Sequence, residues 1–258
     1  MSYDLKLTVP IGLDSPSTTL SQTLPSGVAR GHCANCILRN SCLPKALVDT
    51  PYLDIFENAI IQEYNVDSGE TIIEEGSEFK SIFAVKSGSV KICLGEQKDN
   101  VDGFFFPANI IGIEGFGYHK AINSIVALER SRLCEIDFEK LLDIMTRFPA
   151  LQRHFLTMIS RQIQGSHRIA GAIRNGSVEQ RTAAFLMFIS YQYNQQRLSN
   201  SDIVLPMARS DISNYLGITP ESLSRALSLL GKKRVIKVFN RRVSLLNLDE
   251  LESLATVK

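Results

Sequence analysis

A long, uninterrupted helical pattern divides this chain into two unlike parts. Between Pro149 and Ile173 no proline occurs, and apolar residues recur every three or four positions, which is the spacing of one face of an α-helix. A helix of about 25 residues spans about 37 Å, more than one small domain needs. We therefore expect it to join two domains and to pair with a second copy as a coiled coil; the alternative is a helix that lies across its own β domain. The residues predicted to form the dimer contact are Leu151, Phe155, Met158, Ile159, Ile163, Ser166 and Ile169.

The segment before this helix has the sequence pattern of a β-sheet domain. From Tyr64 to about Phe138, short β-rich runs such as TIIEEG, SIFAVKSGSVKICL and SIVAL are separated by turns rich in Gly, Ser, Asn and Asp. Several short strands with regular turn signals are typical of an antiparallel roll or barrel. Together with the helices that follow, this pattern predicts an α+β chain.

The segment after the long helix predicts a DNA-binding domain. In RSDISNYLGITPESLSRALSLLGKKRVI, Gly217 ends one short helix, and Thr219 and Pro220 begin the next as N-cap and first helical residue. Two short helices around a glycine turn are typical of a helix-turn-helix, and VIKVFNRRVSLLNL then predicts a wing that turns at Asn240. The net charge is only +1, but residues 203–242 hold eight basic residues against two acidic ones. Such a basic segment fits either a nucleic-acid surface or a solvated face.

The start of the second short helix carries the residues expected to read DNA. Glu221, Ser222, Ser224 and Arg225 lie away from its leucine side, and early outward positions of a recognition helix reach base edges in the major groove. Arg225 can pair with guanine O6 and N7, and Glu221 can accept from cytosine N4. The alternative is that these two residues, four apart, form only a surface ion pair. The full predicted DNA-binding set is Arg209, Glu221, Ser222, Ser224 and Arg225.

Three of the five cysteines stand close together in CANCILRNSC. No apolar run approaches the roughly 18 residues of a membrane span, and residues 1–17 lack the basic start and apolar core of a signal peptide. We therefore expect a cytoplasmic protein with no membrane partner, in which clustered thiols stay reduced and bind metal or do redox chemistry. Cys33, Cys36 and Cys42 can hold three corners of an iron–sulfur cubane. A zinc ion, with His32 or another cysteine as fourth ligand, is the alternative.

These features together resemble the CRP/FNR superfamily of bacterial transcription regulators. The segment SGETIIEEGSEFKSIFAVKSGSVKI, the long helix and LGITPESLSRAL carry the resemblance, which covers nearly the whole chain after residue 31. CANCILRNSC, LCEIDFEKL and the E-x-x-S-R of Glu221, Ser224 and Arg225 look specifically like the FNR branch. The resemblance implies an N-terminal antiparallel β-roll of the cyclic-nucleotide-binding type, a long dimerisation helix and a C-terminal winged helix-turn-helix.

The likeness to the FNR branch also implies a function. Members carry an oxygen-labile [4Fe-4S] cluster on three N-terminal cysteines and one distant cysteine, form homodimers when it is intact, and bind palindromes of TTGAT-like half-sites in double-stranded DNA. They touch RNA polymerase at the turn that reads GEQKDNVDG here. The residues alone leave Cys93 and Cys134 equal as fourth ligand, and the likeness of LCEIDFEKL implies Cys134. A cyclic nucleotide is not expected, because IIGIEGFGYHKAINS has no arginine to neutralise its phosphate.

We accordingly expect a flexible leader at 1–31, a cluster-binding loop and β-roll at 32–148, a dimerisation helix at 149–175 and a winged helix-turn-helix at 176–258. The resemblance implies an acidic residue near Ser166 in well-known members, where like charges facing each other disfavour the cluster-free dimer. An enzyme is not expected, since the sequence has no Gly-rich phosphate loop and no histidine–carboxylate constellation. The remaining alternative is a transcription factor of the same superfamily that holds zinc or responds to another effector.

Overall fold

The computed structural model describes residues 33–95, 98, 100–195, 199 and 201–256. The leader predicted for residues 1–31 and the alternative zinc ligand His32 lie outside these residues. The described chain begins with two short 3-10 turns, Cys33–Asn35 and Leu43–Leu47, which are followed by a one-turn helix, α1 (Leu53–Glu57).

Two four-stranded antiparallel sheets form the β-roll. One has the strand order β1-β8-β3-β6 and the other has the order β2-β7-β4-β5. Buried side chains of both sheets, among them Val85, Ile92 and Leu133, share one core. The predicted antiparallel roll is therefore confirmed. Its strands are β1 (Ile60–Val66), β2 (Thr71–Ile73), β3 (Ser81–Ser87), β4 (Val90–Leu94), β5 (Asn100–Phe105), β6 (Ile110–Ile111), β7 (Ser124–Ala127) and β8 (Ser131–Asp137).

The turn that carries the chain from one sheet to the other depends on a glycine. Gly88 follows β3 and has a φ of +79°, a value that side-chain-bearing residues rarely adopt. A Cβ built there would lie 2.2 Å from Ser131 Oγ on β8. That oxygen also accepts a hydrogen bond from the Ser89 N–H at 3.1 Å. The two sheets therefore touch at a point where only glycine fits.

Two helices follow the roll. α2 (Phe138–Arg147) begins after Asp137, whose side chain accepts a hydrogen bond from the first turn, and α3 (Pro149–Asn175) begins with a proline, which suits a first helical position. One side of α3 crosses its own roll, where the Gln162 side chain bonds both the N–H and the carbonyl of Ile110, each at 2.9 Å. The long helix therefore does lie across its own β domain on one side and leaves its other side exposed.

The C-terminal domain is a winged helix-turn-helix. Gly217, with a φ of +61°, ends α5, and the Thr219 hydroxyl accepts from the Ser222 N–H at 3.2 Å, as the predicted N-cap requires. β10 and β11 form a hairpin around Asn240, and β11 pairs with β9 on its other side. The predicted α+β fold is confirmed. The elements of this domain are α4 (Val178–Gln195), β9 (Asp202–Val204), α5 (Arg209–Leu216), α6 (Pro220–Lys232), β10 (Ile236–Phe239), β11 (Arg242–Leu245) and α7 (Leu248–Ala255).

The β4–β5 hairpin of the roll holds the C-terminal domain. Lys91 Nζ lies 2.7 Å from Asp211 Oδ1 on α5, and both side chains are more than four-fifths buried. The Val101 N–H donates to Asn214 Oδ1 at 2.6 Å. The Phe104 ring packs edge-on against aromatic rings of α4 and α5. These contacts fix the first helix of the helix-turn-helix on the sensor side of the molecule.

Candidate functional site

The cysteine loop at residues 33–42 is held at both ends, by α1 at its start and by α3 at its end. At its start, the Cys33 N–H donates to Glu57 Oε1 at 2.6 Å. At its end, the carbonyl oxygen of Cys42 accepts from His154 Nε2 on α3 at 3.1 Å. Between them, Leu38 is buried while Ile37 is 92% exposed. One side of the loop therefore packs on the protein, and its other side faces solvent.

Cys33, Cys36, Cys42 and Cys134 line one small cavity of about 30 Å³. Cys134 reaches it from β8, where it pairs in register with residues of both β1 and β3. The three loop cysteines approach from the opposite side. The rest of the wall is mainly apolar and includes Leu38, Pro44, Phe56, Ile60, Ala84, Val85 and Ile136.

Cys93 lies elsewhere. It is fully buried in β4 and pairs with Val101 and Ser124 of the neighbouring strands. Its sheet, β2-β7-β4-β5, is not the sheet that carries Cys134. The structure thus separates two cysteines that sequence reasoning left equal, and it places Cys134 beside the loop.

Burial controls the ionisation of Cys33, Cys42 and Cys134. It raises the pKa of Cys42 and of Cys134 to about 12. Burial, followed by the charges of Cys42 and Glu57, also raises the pKa of Cys33. Such thiols are neutral at physiological pH, and a metal centre binds them by displacing their protons. The chemistry of the pocket suits metal ligation rather than a free nucleophile.

Four cysteine thiols are the ligand set of a cubane and also of a single tetrahedral ion. A zinc ion draws its thiolate ligands to about 2.3 Å from one point. In the described part of the chain, no three His, Cys, Asp or Glu side chains converge in this way. A cubane instead needs four separated thiolates, one for each iron, and four thiols face this cavity. Because the cavity is small, a cluster requires the exposed loop to lie further from β8.

The predicted DNA-reading residues lie at the start of α6. Glu221, Ser224 and Arg225 are exposed, whereas Ser222 is partly buried and its hydroxyl bonds Thr219 Oγ1 at 3.1 Å. A hydrogen bond from its own backbone and another from Thr219 lower the pKa of Glu221, which keeps the side chain ionised. Three of the four side chains are thus presented to solvent, and Ser222 is partly used by the cap.

Arg209 links the helix-turn-helix to the wing. Its Nη2 donates to the Asn240 carbonyl at 3.4 Å, and its buried Nη1 has no hydrogen-bond partner among the described residues. Burial lowers the pKa of Arg209. The guanidinium lines a groove between α6 and the wing together with Ser224 and Lys237. Two cationic side chains, Arg209 and Lys237, line this groove, which suits an anion such as a DNA phosphate.

The residues predicted to form the dimer contact lie on two different sides of α3. Leu151, Phe155, Met158 and Ile169 are buried in their own protomer, so they offer little surface to a partner, and their part in the dimer contact stays a prediction. An outer stripe with alternating spacings of three and four faces solvent instead, with Ile159 partly buried. Strict coiled-coil spacing adds Leu156, which widens the apolar stripe of the sequence but is not among the residues predicted for the dimer contact. We define the outer stripe as Leu156, Ile159, Ile163, Ser166 and Ala170.

A further cavity of about 120 Å³ lies between the roll, α3 and α4. Its charged lining residues are Asp102 and Glu114, and no Lys or Arg lines it among the described residues. Burial raises the pKa of Glu114. A cyclic phosphate placed here would meet carboxylates rather than a cation. Separately, no helix in the described ranges is both long and apolar enough to cross a membrane.

Comparisons with known proteins agree with this architecture. Residues 63–148 match the family described as cyclic nucleotide-binding domain, and residues 180–254 match the Crp-like helix-turn-helix domain. The fumarate and nitrate reduction regulatory protein of Escherichia coli K12 is 32% identical over 93% of this chain and 96% of its own length. The transcriptional regulatory protein btr of Bordetella pertussis is 31% identical over 91% of this chain and 98% of its own.

Solved structures show the same fold. FixK2 from Bradyrhizobium japonicum superposes with a TM-score of 0.66 at 22% identity and covers 76% of this chain and 98% of its own. That identity supports the fold alone, whereas the two full-length relatives support the family and, with it, transcription regulation rather than enzymatic activity. The chain belongs to the CRP/FNR superfamily of transcription regulators.

Proposed function

We propose that this chain is an oxygen-responsive, anaerobic transcription regulator that holds a [4Fe-4S] cluster on Cys33, Cys36, Cys42 and Cys134. The observation that carries the proposal is that these four thiols, from two distant parts of the sequence, line one cavity. The name of the Escherichia coli relative, fumarate and nitrate reduction regulatory protein, supports a role in anaerobic gene control. Held by these four residues, a cluster would supply oxygen-sensitive redox chemistry at the point where the loop meets β8.

The loop is connected directly to the long helix. The segment that follows Cys42 packs Leu43 and Leu47 into the same core as Leu151 and Phe155 of α3. His154 of α3 also bonds the Cys42 carbonyl. A loop held down by four ligands therefore supports the inner side of α3, and a released loop withdraws that support. This is a bistable element of the kind a switch requires.

The helix then couples the cluster to DNA affinity. The outer stripe of α3 pairs with the same stripe of a second copy, and the dimer presents two α6 helices to a palindrome of TTGAT-like half-sites. Glu221, Ser224 and Arg225 contact base edges, and Arg209 contacts a phosphate. A monomer holds only one half-site, so loss of the dimer weakens binding sharply. RNA polymerase is the proposed partner of the DNA-bound dimer, at the turn between β4 and β5.

Anaerobic purification of matched cysteine variants tests the cofactor. We expect the wild-type protein to be brown, to contain four irons and four sulfides per chain, and to bleach in air. Cys93→Ala removes a buried thiol of the other sheet and should leave the cluster in place, whereas Cys134→Ala should leave the protein colourless. A colourless wild-type protein with one zinc per chain would overturn the proposal. Loss of the cluster in Cys93→Ala, with Cys134→Ala intact, would overturn the ligand assignment.

The regulatory part is tested with the same preparations. Cluster-loaded protein should sediment as a dimer and bind a palindromic operator, and exposure to air should lower both the dimer fraction and the affinity. A duplex with one half-site scrambled is the matched DNA control. Equal binding to both duplexes before and after exposure to air would contradict the proposed switch.

A further inference from the structure

A small ionic network lies on the face of the sheet that the cysteine loop covers. Cys134 of β8 is paired in register with Glu63 of β1 on one side and with Ala84 of β3 on the other. Lys86 stands at a β-bulge of β3, between Val85 and Ser87, so its position follows from its contacts and not from strand alternation. Its ammonium group pairs with Glu63, and its side chain lines the same cavity as Cys134, so the three side chains are neighbours under the loop.

The network carries a net positive charge. Lys86 Nζ forms an ion pair with Glu63 Oε1, and Arg132 Nη2 lies 3.1 Å from Glu63 Oε2. Two cations thus share one carboxylate, whose side chain is only 8% exposed. Glu63 fixes where the positive charge sits, since its two oxygens hold the two cations on opposite sides.

Two cationic side chains line the cavity together with all four cysteines, Lys86 from the sheet and Arg39 from the loop, whereas Arg132 does not line it. Arg39 donates to the Ala34 carbonyl of its own loop, so Lys86 is the lining cation that the sheet supplies. Burial disfavours the charged form, but the hydrogen bond and the charge of Glu63 outweigh it and raise the pKa of Lys86. The ammonium group is therefore charged at neutral pH, and the Lys86 side chain is four-fifths buried, where salt screens charges weakly.

We propose that Lys86, held in place by Glu63, is the counter-charge of the four-thiolate centre. Four thiolates around a metal centre carry net negative charge, and the cavity wall is otherwise mainly apolar. A fixed ammonium group beside them stabilises the metal-loaded site and favours its reduced, more negative state. Lys86 is thus a positioning and tuning residue, not a ligand. The inference rests on the proposed cluster site. It adds that Lys86 tunes the stability and the reduction potential of the bound metal centre.

Anaerobic titration of the apo-protein with Co²⁺ isolates the charge from the iron chemistry. Lys86→Met removes the charge and keeps the aliphatic stem, and Lys86→Gln keeps a hydrogen-bond donor for Glu63. Both should weaken thiolate-bound Co²⁺, read from its charge-transfer absorption, by about tenfold. Lys86→Arg should restore wild-type affinity. Lys80→Met is the matched control, because Lys80 forms an exposed pair with Glu78 away from the cavity.

The reconstituted cluster gives the second readout. Its midpoint potential should become more negative in Lys86→Met and in Lys86→Gln, and iron should pass to a chelator faster than from Lys80→Met. Unchanged Co²⁺ affinity and unchanged potential in both neutral variants would overturn the proposal for Lys86. If the wild-type chain binds Co²⁺ through its thiols but takes up no iron–sulfur cluster, the cofactor proposal fails, and the Co²⁺ affinities of the variants still decide the role of Lys86.

Discussion

At the scale of single residues, strand register shows which of two similar cysteines, Cys93 or Cys134, lies beside the cysteine loop. Cys93 and Cys134 have similar sequence surroundings, each beside apolar neighbours in a short strand. The register places Cys134 opposite Glu63 and Ala84 beneath the loop, and it places Cys93 within the other sheet. No local pattern specifies which two strands lie next to each other, so the residues around each cysteine were insufficient, and only the family likeness pointed to Cys134.

Base reading by Arg225 is a prediction at this scale. The side chain is exposed on α6, and a bidentate contact with guanine is worth about 1–3 kcal/mol of discrimination. Arg225→Ala should therefore lower operator affinity and flatten the preference at one base pair of each half-site. Lys232→Ala, at the other end of α6, is the control and should keep the preference at every base pair. Binding to a set of single-base operator variants measures both. If Arg225→Ala weakens binding equally for all operator variants, Arg225 contacts only the DNA backbone.

Gly88 gives a stability prediction. Alanine there must adopt a φ of +79° and place its Cβ against Ser131, so Gly88→Ala should destabilise the fold by about 2 kcal/mol or more. Gly117→Ala is the matched control, because nothing lies within 4 Å of its Cβ position. Urea unfolding of the apo-proteins compares them. Similar urea midpoints for the two variants would mean that the turn between the sheets accommodates the Cβ of alanine without loss of stability.

At the scale of elements, local sequence signals predicted which helices form, but not which side of a helix packs on its own domain and which side stays exposed. The proline-free repeat predicted α3, and the glycine turn and the Thr219 cap predicted the helix-turn-helix. The same repeat could not distinguish the side of α3 that packs on its own roll from the side left for a partner, because both carry apolar residues. Leu151 and Phe155 belong to the first side, and Leu156 and Ile163 belong to the second. That division depends on where the roll lies, which is tertiary information.

Ser166 tests the outer stripe. Ser166 lines the cavity between the roll, α3 and α4 and, in the proposed coiled-coil contact, would face its own copy. An aspartate there would place two like charges together in a partly desolvated contact. Ser166→Asp should therefore raise the dissociation constant of the dimer at least about tenfold, measured by sedimentation of the cluster-free protein. Thr157→Asp places the same charge at an exposed position on another side of α3 and should change little. An equal effect of both substitutions would show that general charge, not stripe contact, is responsible.

At the scale of the whole molecule, the β-roll (the sensor) and the winged helix-turn-helix (the reader) are joined by a contact that sequence reasoning did not identify. Lys91 and Asp211 are 120 residues apart along the chain, and each alone looks like an ordinary charged residue. In the structure their ion pair, the Val101–Asn214 hydrogen bond and the Phe104 ring fasten α5 to the β4–β5 hairpin. The reader is thus held on the roll as well as on the end of α3. A change in α3 must be transmitted to α6 against this second attachment.

A charge-exchange cycle tests that attachment. Lys91→Asp places two carboxylates together where both side chains are more than four-fifths buried, so it should lower the free energy of unfolding by about 3 kcal/mol and weaken operator binding by the cluster-loaded dimer. The double variant Lys91→Asp with Asp211→Lys restores opposite charges and should recover much of both losses. Lys80→Asp is the matched control, because its pair with Glu78 is about 70% exposed and such pairs contribute about 0–1 kcal/mol. Losses that simply add in the double variant would mean that the pair does not hold the reader, and α3 alone would then set the position of α6.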